Sequence, residues 1–361
     1  MPVFTIRGKN HRERGVDYGV QCKELIQGVL ERYIRFFNGG HTAVSWDEAK
    51  VISKEFLPFI HSYSPELLDE LEGIAQGADV EFDDLLTLNS RSEAMTLVRR
   101  PPSDKEELDG CSSVAVLSDA SAHGHTILAQ NWDTYTWQEY GTVILQILRD
   151  DGPDLMIVTE AGQLARYGMN QAGIALGVNS LQKTYNPEVF GIPSVFIRRK
   201  FLEQDRYVDA VNQIFGAESM LPMYYVAAYC GQLVLYPENG LIAHSNHIRH
   251  PHYAYQVDAL GGTLYRDRRI LKHLQPKAGA VTMEDIKDAF KDHFGYPFSV
   301  CRHGDSRKTE LNRISTLGCI LMDVTDRRIW VCKGTPCCGE FKEYMWERPH
   351  KKSDWDQIEK W

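Results

Sequence analysis

Cys111 follows Asp109 and Gly110 directly and precedes the apolar, β-branched run Ser112-Ser113-Val114-Ala115-Val116. A cysteine that opens a strand is ordinarily a small buried hydrophobe. The glycine before it changes what the thiol can do, because Gly110 has no side chain to shield its carbonyl and reaches backbone angles closed to other residues. Attack by the Cys111 thiol on that carbonyl moves the acyl group from nitrogen to sulfur, and water then releases a chain that begins with Cys111. The new α-amino group has an ordinary pKa of about 7.7–8.0, so near neutrality a useful fraction is uncharged and takes the proton from its own thiol. One residue then supplies nucleophile and base, without a histidine marked by any motif.

Other reactive types carry weaker signals. The run HSNHIRHPH, His244 to His252, holds four histidines. On a strand, however, the interval of three between His244 and His247 puts their side chains on opposite faces, and no acidic partner accompanies them as in H-E-x-x-H. Cys337 and Cys338 in GTPCCGE lack C-x-x-C spacing and read as loop residues. No metal and no resident cofactor is expected. The sequence also has no G-x-x-x-x-G-K-[ST] loop, no G-x-G-x-x-G after a strand and no G-x-S-x-G elbow, so neither a nucleotide enzyme nor an elbow-type serine hydrolase is supported.

The whole chain must position Cys111. Its 361 residues, 43% hydrophobic and 25% charged, are those of a globular protein able to bury a large core. A net charge of -9 with only short basic clusters argues against nucleic-acid and anionic-membrane partners. No apolar run approaches the ~20 residues of a spanning helix. The first residues, MPVFTIRGKNHRERG, lack the apolar core of a secretory signal, and QIEKW is not a peroxisomal tripeptide. With eight irregularly spaced cysteines read as reduced thiols, a cytoplasmic or otherwise intracellular location is expected.

From Gly15 to about Val98 apolar residues recur at intervals of three and four, as in Leu67, Leu68, Leu71, Ile74 and Ala75, which predicts helices. Arg99 to Gly110, with two prolines, a charge cluster and a glycine, reads as an exposed loop. After Cys111 the texture changes to short strand-like runs: SSVAVLS, HTILAQNW, GTVILQILR, DLMIVTEA, GIALGVN, YYVAAY, QLVLYP, TLGCILMDV and RRIWVCKG. DASAHG reads as the turn of a hairpin, and helical patterns return at Val195 to Phe215 and, behind a Thr282 N-cap, at Met283 to His293. Helices followed by strands predict an α+β arrangement of helices layered on sheets.

DGCSSVAV, with QNWD about twenty residues later, resembles the processing site and second strand of the isopenicillin-N acyltransferase (acyl-coenzyme A:6-aminopenicillanic acid acyltransferase) family of N-terminal nucleophile enzymes, distantly similar to choloylglycine hydrolases. The likeness extends through RGVDYG, ELLDELEGIAQGADV, LNSRSE, GMNQAGIALGVNSL, HSNH and YPFSVCR. It implies a four-layer αββα sandwich, with residues 1–110 as an α chain and 111–361 as a β chain carrying the nucleophile, together one domain. It also implies that Cys111 is the nucleophile of both self-cleavage at Gly110–Cys111 and turnover, that Asp133 contacts the nucleophile's amine and the substrate, and that the Asn246 amide stabilises the oxyanion. Asn179 matches a polar position that binds substrate or the oxyanion. Arg313 matches an arginine near the nucleophile, with Asn312 in place of a serine beside it, and Tyr135 replaces an aromatic of the acyl-pocket region. Gln130 stands where bile-salt hydrolases have arginine, which argues against that branch.

The expected activity is hydrolysis or transfer of acyl groups of small N-acyl amides through a thioester acyl-enzyme, with acyl-CoA a conceivable co-substrate. The rival is an uncleaved, catalytically silent binding or scaffold relative with the same fold, against which the retained Cys111, Asp133 and Asn246 speak.

Overall fold

The structure, a computed structural model, describes residues 1–97, 110–181, 190–221, 223–229, 232–233, 238–248 and 262–349. The predicted loop from Arg99 therefore lies outside the described residues except for Gly110, as does the end of QLVLYP. A short strand, β1 (Val3–Ile6), precedes α1 (His11–Gln21), α2 (Lys23–Phe36), α3 (Trp46–Lys54), α4 (Leu57–Tyr63), α5 (Pro65–Ala78) and α6 (Phe82–Leu97). Local chemistry sets several ends: Asn10 caps α1 by accepting from the Glu13 N–H, and Ser45 opens α3 with a reciprocal capping box to Glu48. Two of the quoted motifs face each other, because RGVDYG lies on α1 and ELLDELEGIAQGADV on α5. A Cβ on Gly15, Gly19, Gly73 or Gly77 would come within 2.1, 2.4, 2.3 or 2.3 Å of a carbonyl oxygen of the opposite helix. The two backbones thus touch where no side chain fits.

The strands follow as β2 (Cys111–Val116), β3 (Ile127–Tyr135), β4 (Thr142–Ile147), β5 (Leu155–Glu160), β6 (Tyr167–Asn170), β7 (Ile174–Ser180), β8 (Met223–Tyr229), β9 (Gln232–Leu233), β10 (Leu241–His244), β11 (Ile314–Asp323), β12 (Arg328–Lys333) and β13 (Phe341–Tyr344). The expected helix from Val195 is two, α7 (Ser194–Leu202) and α8 (Tyr207–Phe215), and α9 (Thr263–Leu274) precedes α10 (Met283–Phe290), whose Thr282 cap forms a second capping box with Asp285. The patterns missed β1, β6, β10, β13 and α9. The four strands have only four residues each, too few for a two-residue period to stand out, and α9 is rich in arginine.

One sheet runs β1-β4-β5-β6-β7-β8-β9 and the other β10-β2-β3-β11-β12-β13. They lie face to face, with the first six helices and α7 and α8 outside the first sheet and α9 and α10 outside the second, giving the four-layer αββα sandwich. Alternation along β2 serves both sides: Cys111 and Ala115 join the core between the sheets, while Val114 and Val116 join the core under α9 and α10. Covered on both faces, all of β2 is buried. Among the described residues no helix is long and apolar enough to cross a membrane.

Replacing Gly73 with alanine drives a Cβ against Arg12 O and the Val16 backbone nitrogen, neither of which can swing aside as a side-chain end can. Gly73→Ala is expected to cost about 1–3 kcal/mol, read as a lowered midpoint in denaturant unfolding; an unchanged midpoint would show that the helices slip apart freely.

Candidate active site

Cys111 is the first residue of β2, paired with Trp132 of the adjacent antiparallel strand β3, and is only 3% exposed. Its sulfur points into the space between the sheets, 3.5 Å from the hydroxyl of Tyr167 on β6. Burial and the neighbouring thiol hold that phenol well above its usual range, so it remains a neutral O–H group beside the sulfur. Trp132 closes the same side, edge-on to Tyr167 with ring centroids 6.1 Å apart, and the Arg166 guanidinium lies 4.4 Å over its ring.

The Cys111 backbone N–H donates to Asn246 Oδ1 at 2.9 Å. Arg266 of α9 donates to the same oxygen at 2.7 Å, and since a guanidinium only donates, the Asn246 carbonyl rather than its amide nitrogen must face Cys111. Asn246 Nδ2 donates instead to Ser180 O at 2.8 Å, and the Asn246 backbone N–H to Thr263 Oγ1 at 2.8 Å. Asn179, on β7 across the inter-sheet space, accepts from Ser113 Oγ at 2.7 Å, whereas its buried Nδ2 has no hydrogen-bond partner among the described residues.

Asp133 lies on the other face of β3, toward the helices. Thr316 of β11 donates to its Oδ1 at 2.7 Å and Arg266 to its Oδ2 at 3.4 Å. The β-bulge between Thr316 and Gly318 lies in this stretch of β11. Gly110 is wedged into the same corner: a Cβ there would stand 2.5 Å from Arg266 Nη1, 2.6 Å from Arg302 Nη1 and 3.3 Å from Asp133 Oδ2. Gly110 leaves this corner free of its own side chain, and the ends of two cations and a carboxylate pack against it.

The expected residues thus fall into two groups. Cys111, Asp133, Asn246 and Asn179 converge at the head of β2. Tyr135, Asn312 and Arg313 gather at a rim farther along β3, where Tyr135 pairs with Ile314, Thr136 N–H donates to Arg313 O at 2.8 Å, and Trp137 Nε1 donates to Leu311 O at 3.2 Å. Tyr135 joins an aromatic cluster there, 4.9 Å from Phe36 and stacked on Trp137 at 6.0 Å. The Arg313 guanidinium donates to Lys308 O at 3.4 Å, and the arginines packed against Gly110 are Arg266 and Arg302. Gln130 is a structural link, donating to Val178 O and accepting from Val178 N–H across the sheets.

His244 and His247 do not point to opposite faces. The strand stops at His244, and the two rings stack at 5.7 Å, with Tyr224 stacked on His244 at 3.6 Å. The later histidines of that run lie outside the described residues.

Tyr167, Arg166, Arg266, Arg302 and Thr316 were not singled out from the sequence as site residues. Tyr167 stands just before GMNQAG and Arg302 ends YPFSVCR, so both adjoin motifs that carry the resemblance. Arg266 sits in the charged run RDRR, indistinguishable there from a solvated helix face.

Known proteins resemble this chain in sequence, and solved structures match part of it. The family model described as "Acyl-coenzyme A:6-aminopenicillanic acid acyl-transferase" matches residues 121–337, more than half of the chain, beginning just after the Gly110–Cys111 junction. The chain is 28% identical over 341 residues to the acyl-coenzyme A:6-aminopenicillanic-acid-acyltransferase 40 kDa form of Emericella nidulans, covering 89% of this chain and 90% of that one. It is 27% identical over 199 residues to the beta-alanyl-dopamine/carcinine hydrolase of Drosophila melanogaster, covering 50% of this chain and 49% of that one. Among solved structures, a mutant conjugated bile acid hydrolase from Clostridium perfringens matches 66% of this chain and 97% of its own at 10% identity, with a TM-score of 0.43. With more than half of its length matched by the family model, the chain belongs to the acyl-coenzyme A:6-aminopenicillanic acid acyl-transferase family.

Proposed function

We propose that the chain cuts itself between Gly110 and Cys111 and then, as an N-terminal cysteine amidohydrolase or acyltransferase, hydrolyses or transfers the acyl groups of small N-acyl amides. The observation that carries this reading is the setting of Cys111: at the head of a buried interior strand, its nitrogen anchored on Asn246 Oδ1 and its sulfur turned between the sheets beside Tyr167. In maturation the Cys111 sulfur bonds to the Gly110 carbonyl carbon, the carbon–nitrogen bond breaks, and the nitrogen gains the thiol proton and leaves as an amine. Water then hydrolyses the thioester, and Gly110 becomes a carboxyl terminus.

The freed amine keeps protons to donate to Asn246 Oδ1, which aims its lone pair and lets it take the thiol proton. Asp133, held by Thr316 and Arg266, lies beside the departing Gly110 and offers the amine and an amide N–H of the substrate an acceptor. When Cys111 attacks a substrate carbonyl, negative charge gathers on its oxygen, and a buried donor that costs no reorganisation stabilises it most. Asn179 Nδ2 is such a donor, while Asn246 can supply its own only by releasing Ser180 O. The Tyr167 hydroxyl steadies the sulfur as its charge changes.

The thioester then meets water or an amine. The Emericella relative is by name an acyltransferase to an amine and the Drosophila relative a hydrolase of acylated amines, so both outcomes occur among proteins similar to this one. A small N-acyl amide is what transfer to an amine forms and what such a hydrolase cleaves, and the aromatic rim of Phe36, Tyr135 and Trp137 is an apolar wall for its acyl end, with Asn312 and Arg313 at the edge.

Cys111→Ala should leave one uncut chain with no turnover of N-acyl amides, whereas the wild type gives two chains meeting at Gly110 and Cys111 by intact-mass analysis. A cut Cys111→Ala chain, or an uncut wild type with full activity, would overturn the reading. Asn179→Ala should lower kcat by about 10²–10³-fold with little change in KM; an unchanged kcat removes Asn179 from the oxyanion site. Partition between water and an added amine, followed with N-acyl amide or acyl-CoA donors, decides hydrolysis against transfer.

A further inference from the structure

Four side chains behind the second sheet converge in a way the acyl-transfer chemistry does not use. His293, just after α10, Cys301 and His303, on the loop leading to β11, and Cys337, in the turn after β12, bring one ligand atom each to within 4.8 Å of one another. His293 Nε2 lies 3.1 Å from His303 Nε2, and His303 Nε2 lies 3.6 Å from Cys301 Sγ and 3.5 Å from Cys337 Sγ. A tetrahedral zinc ion with ordinary bond lengths sets edges of about 3.3 Å between two nitrogens and about 3.5 Å between nitrogen and sulfur. The three separations lie close to those edges.

Hydrogen bonding does not explain the cluster. A single imidazole nitrogen either donates one proton or accepts at one lone pair, yet His303 Nε2 has three close partners, one of them another ring nitrogen. A cation at the centre replaces three mutually incompatible contacts with four bonds.

We propose that His293, Cys301, His303 and Cys337 bind one zinc ion in a closed Cys2His2 site. The mixed sulfur and nitrogen donors in a tetrahedron select zinc among common divalent ions, and four protein ligands leave no position for substrate, so the role is structural. Binding releases the two thiol protons and needs no oxidant. The sequence concealed this site because Cys337 lies 34 residues from His303, and Cys301-Arg302-His303 is no recognised chelating spacing.

The residue between two of the ligands is Arg302, whose guanidinium packs against Gly110. Its backbone N–H donates to Thr316 Oγ1 at 2.9 Å, and that hydroxyl in turn holds Asp133. Zinc would therefore fix the loop that presents Arg302 to the cleavage junction while lying outside the reacting atoms.

The full-length protein, purified with a thiol reductant and dialysed free of loose metal, should contain about one zinc per chain by mass spectrometry of the elements. Cobalt(II) added to chelator-stripped wild type should give the intense visible bands of a tetrahedral ion and the ultraviolet charge-transfer band of thiolate ligation, without relying on any variant's folding. Cys301→Ser and Cys337→Ser should each lower zinc content at least tenfold, while Cys338→Ser retains it. Failure of reduced wild type to take up zinc or cobalt stoichiometrically, undiminished zinc in both variants, or a Cys301–Cys337 disulfide in protein alkylated without reductant would each overturn the site. None of these readouts depends on self-cleavage or turnover.

Discussion

A carboxylate stripped of water must find a partner for its lone pairs, and Glu160, fully buried at the end of β5, ties the helical layer to the sheets in doing so. Arg91 of α6 donates to it at 2.8 Å, Gln163 at 2.6 Å and the Tyr33 hydroxyl of α2 at 3.0 Å, with Arg166 at 3.5 Å. Losing a partner would leave charge in a medium where it is expensive, so the arrangement has little freedom to drift. Arg166 also lies over Trp132, the cross-strand neighbour of Cys111, and the next residue is Tyr167, whose hydroxyl meets the sulfur. The helical first third thus reaches the candidate nucleophile through one buried ionic network.

That network gives LNSRSE a physical meaning. Asn89 binds Gly162 O and the Leu164 N–H, Arg91 binds Glu160, and Glu93 accepts the Ser194 N–H at the start of α7. Three polar residues on one helix hold the β5–β6 turn and the next helix. A similar logic joins α5 to α7, where buried Arg199 pairs with Glu70 and Glu203, each at 2.9 Å. Polar groups this deep specify one arrangement of the layers because each alternative leaves something unpaired.

The second sheet carries chemistry on both faces, and the two-residue period of its strands keeps them apart. Cys111 and Ser113 look toward the first sheet, Tyr167 and Asn179; Asp133 and Asn131 look toward the outer helices, where Asn131 clasps Val300 O at 2.8 Å. The candidate site is an edge crossing at the head of β2, where the sulfur on one side and the arginines and Asp133 on the other meet at Gly110.

The sequence alone marked Cys111 after glycine, the change from helical to strand texture there, and ordered motifs carrying the family resemblance, all properties of neighbours along the chain. Its periodicity separated most long helices and strands because three-to-four and two-residue repeats persist in them, and it failed for β1, β6, β10 and β13, which are too short to repeat, and for arginine-rich α9. Only the tertiary structure set Arg266 and Arg302 against Gly110, turned the Asn246 carbonyl toward Cys111, left Asn179 Nδ2 without a partner among the described residues and gathered His293, Cys301, His303 and Cys337. These depend on which strands pair and which loops fold back. Contacts between residues far apart in sequence leave no local period or spacing to read.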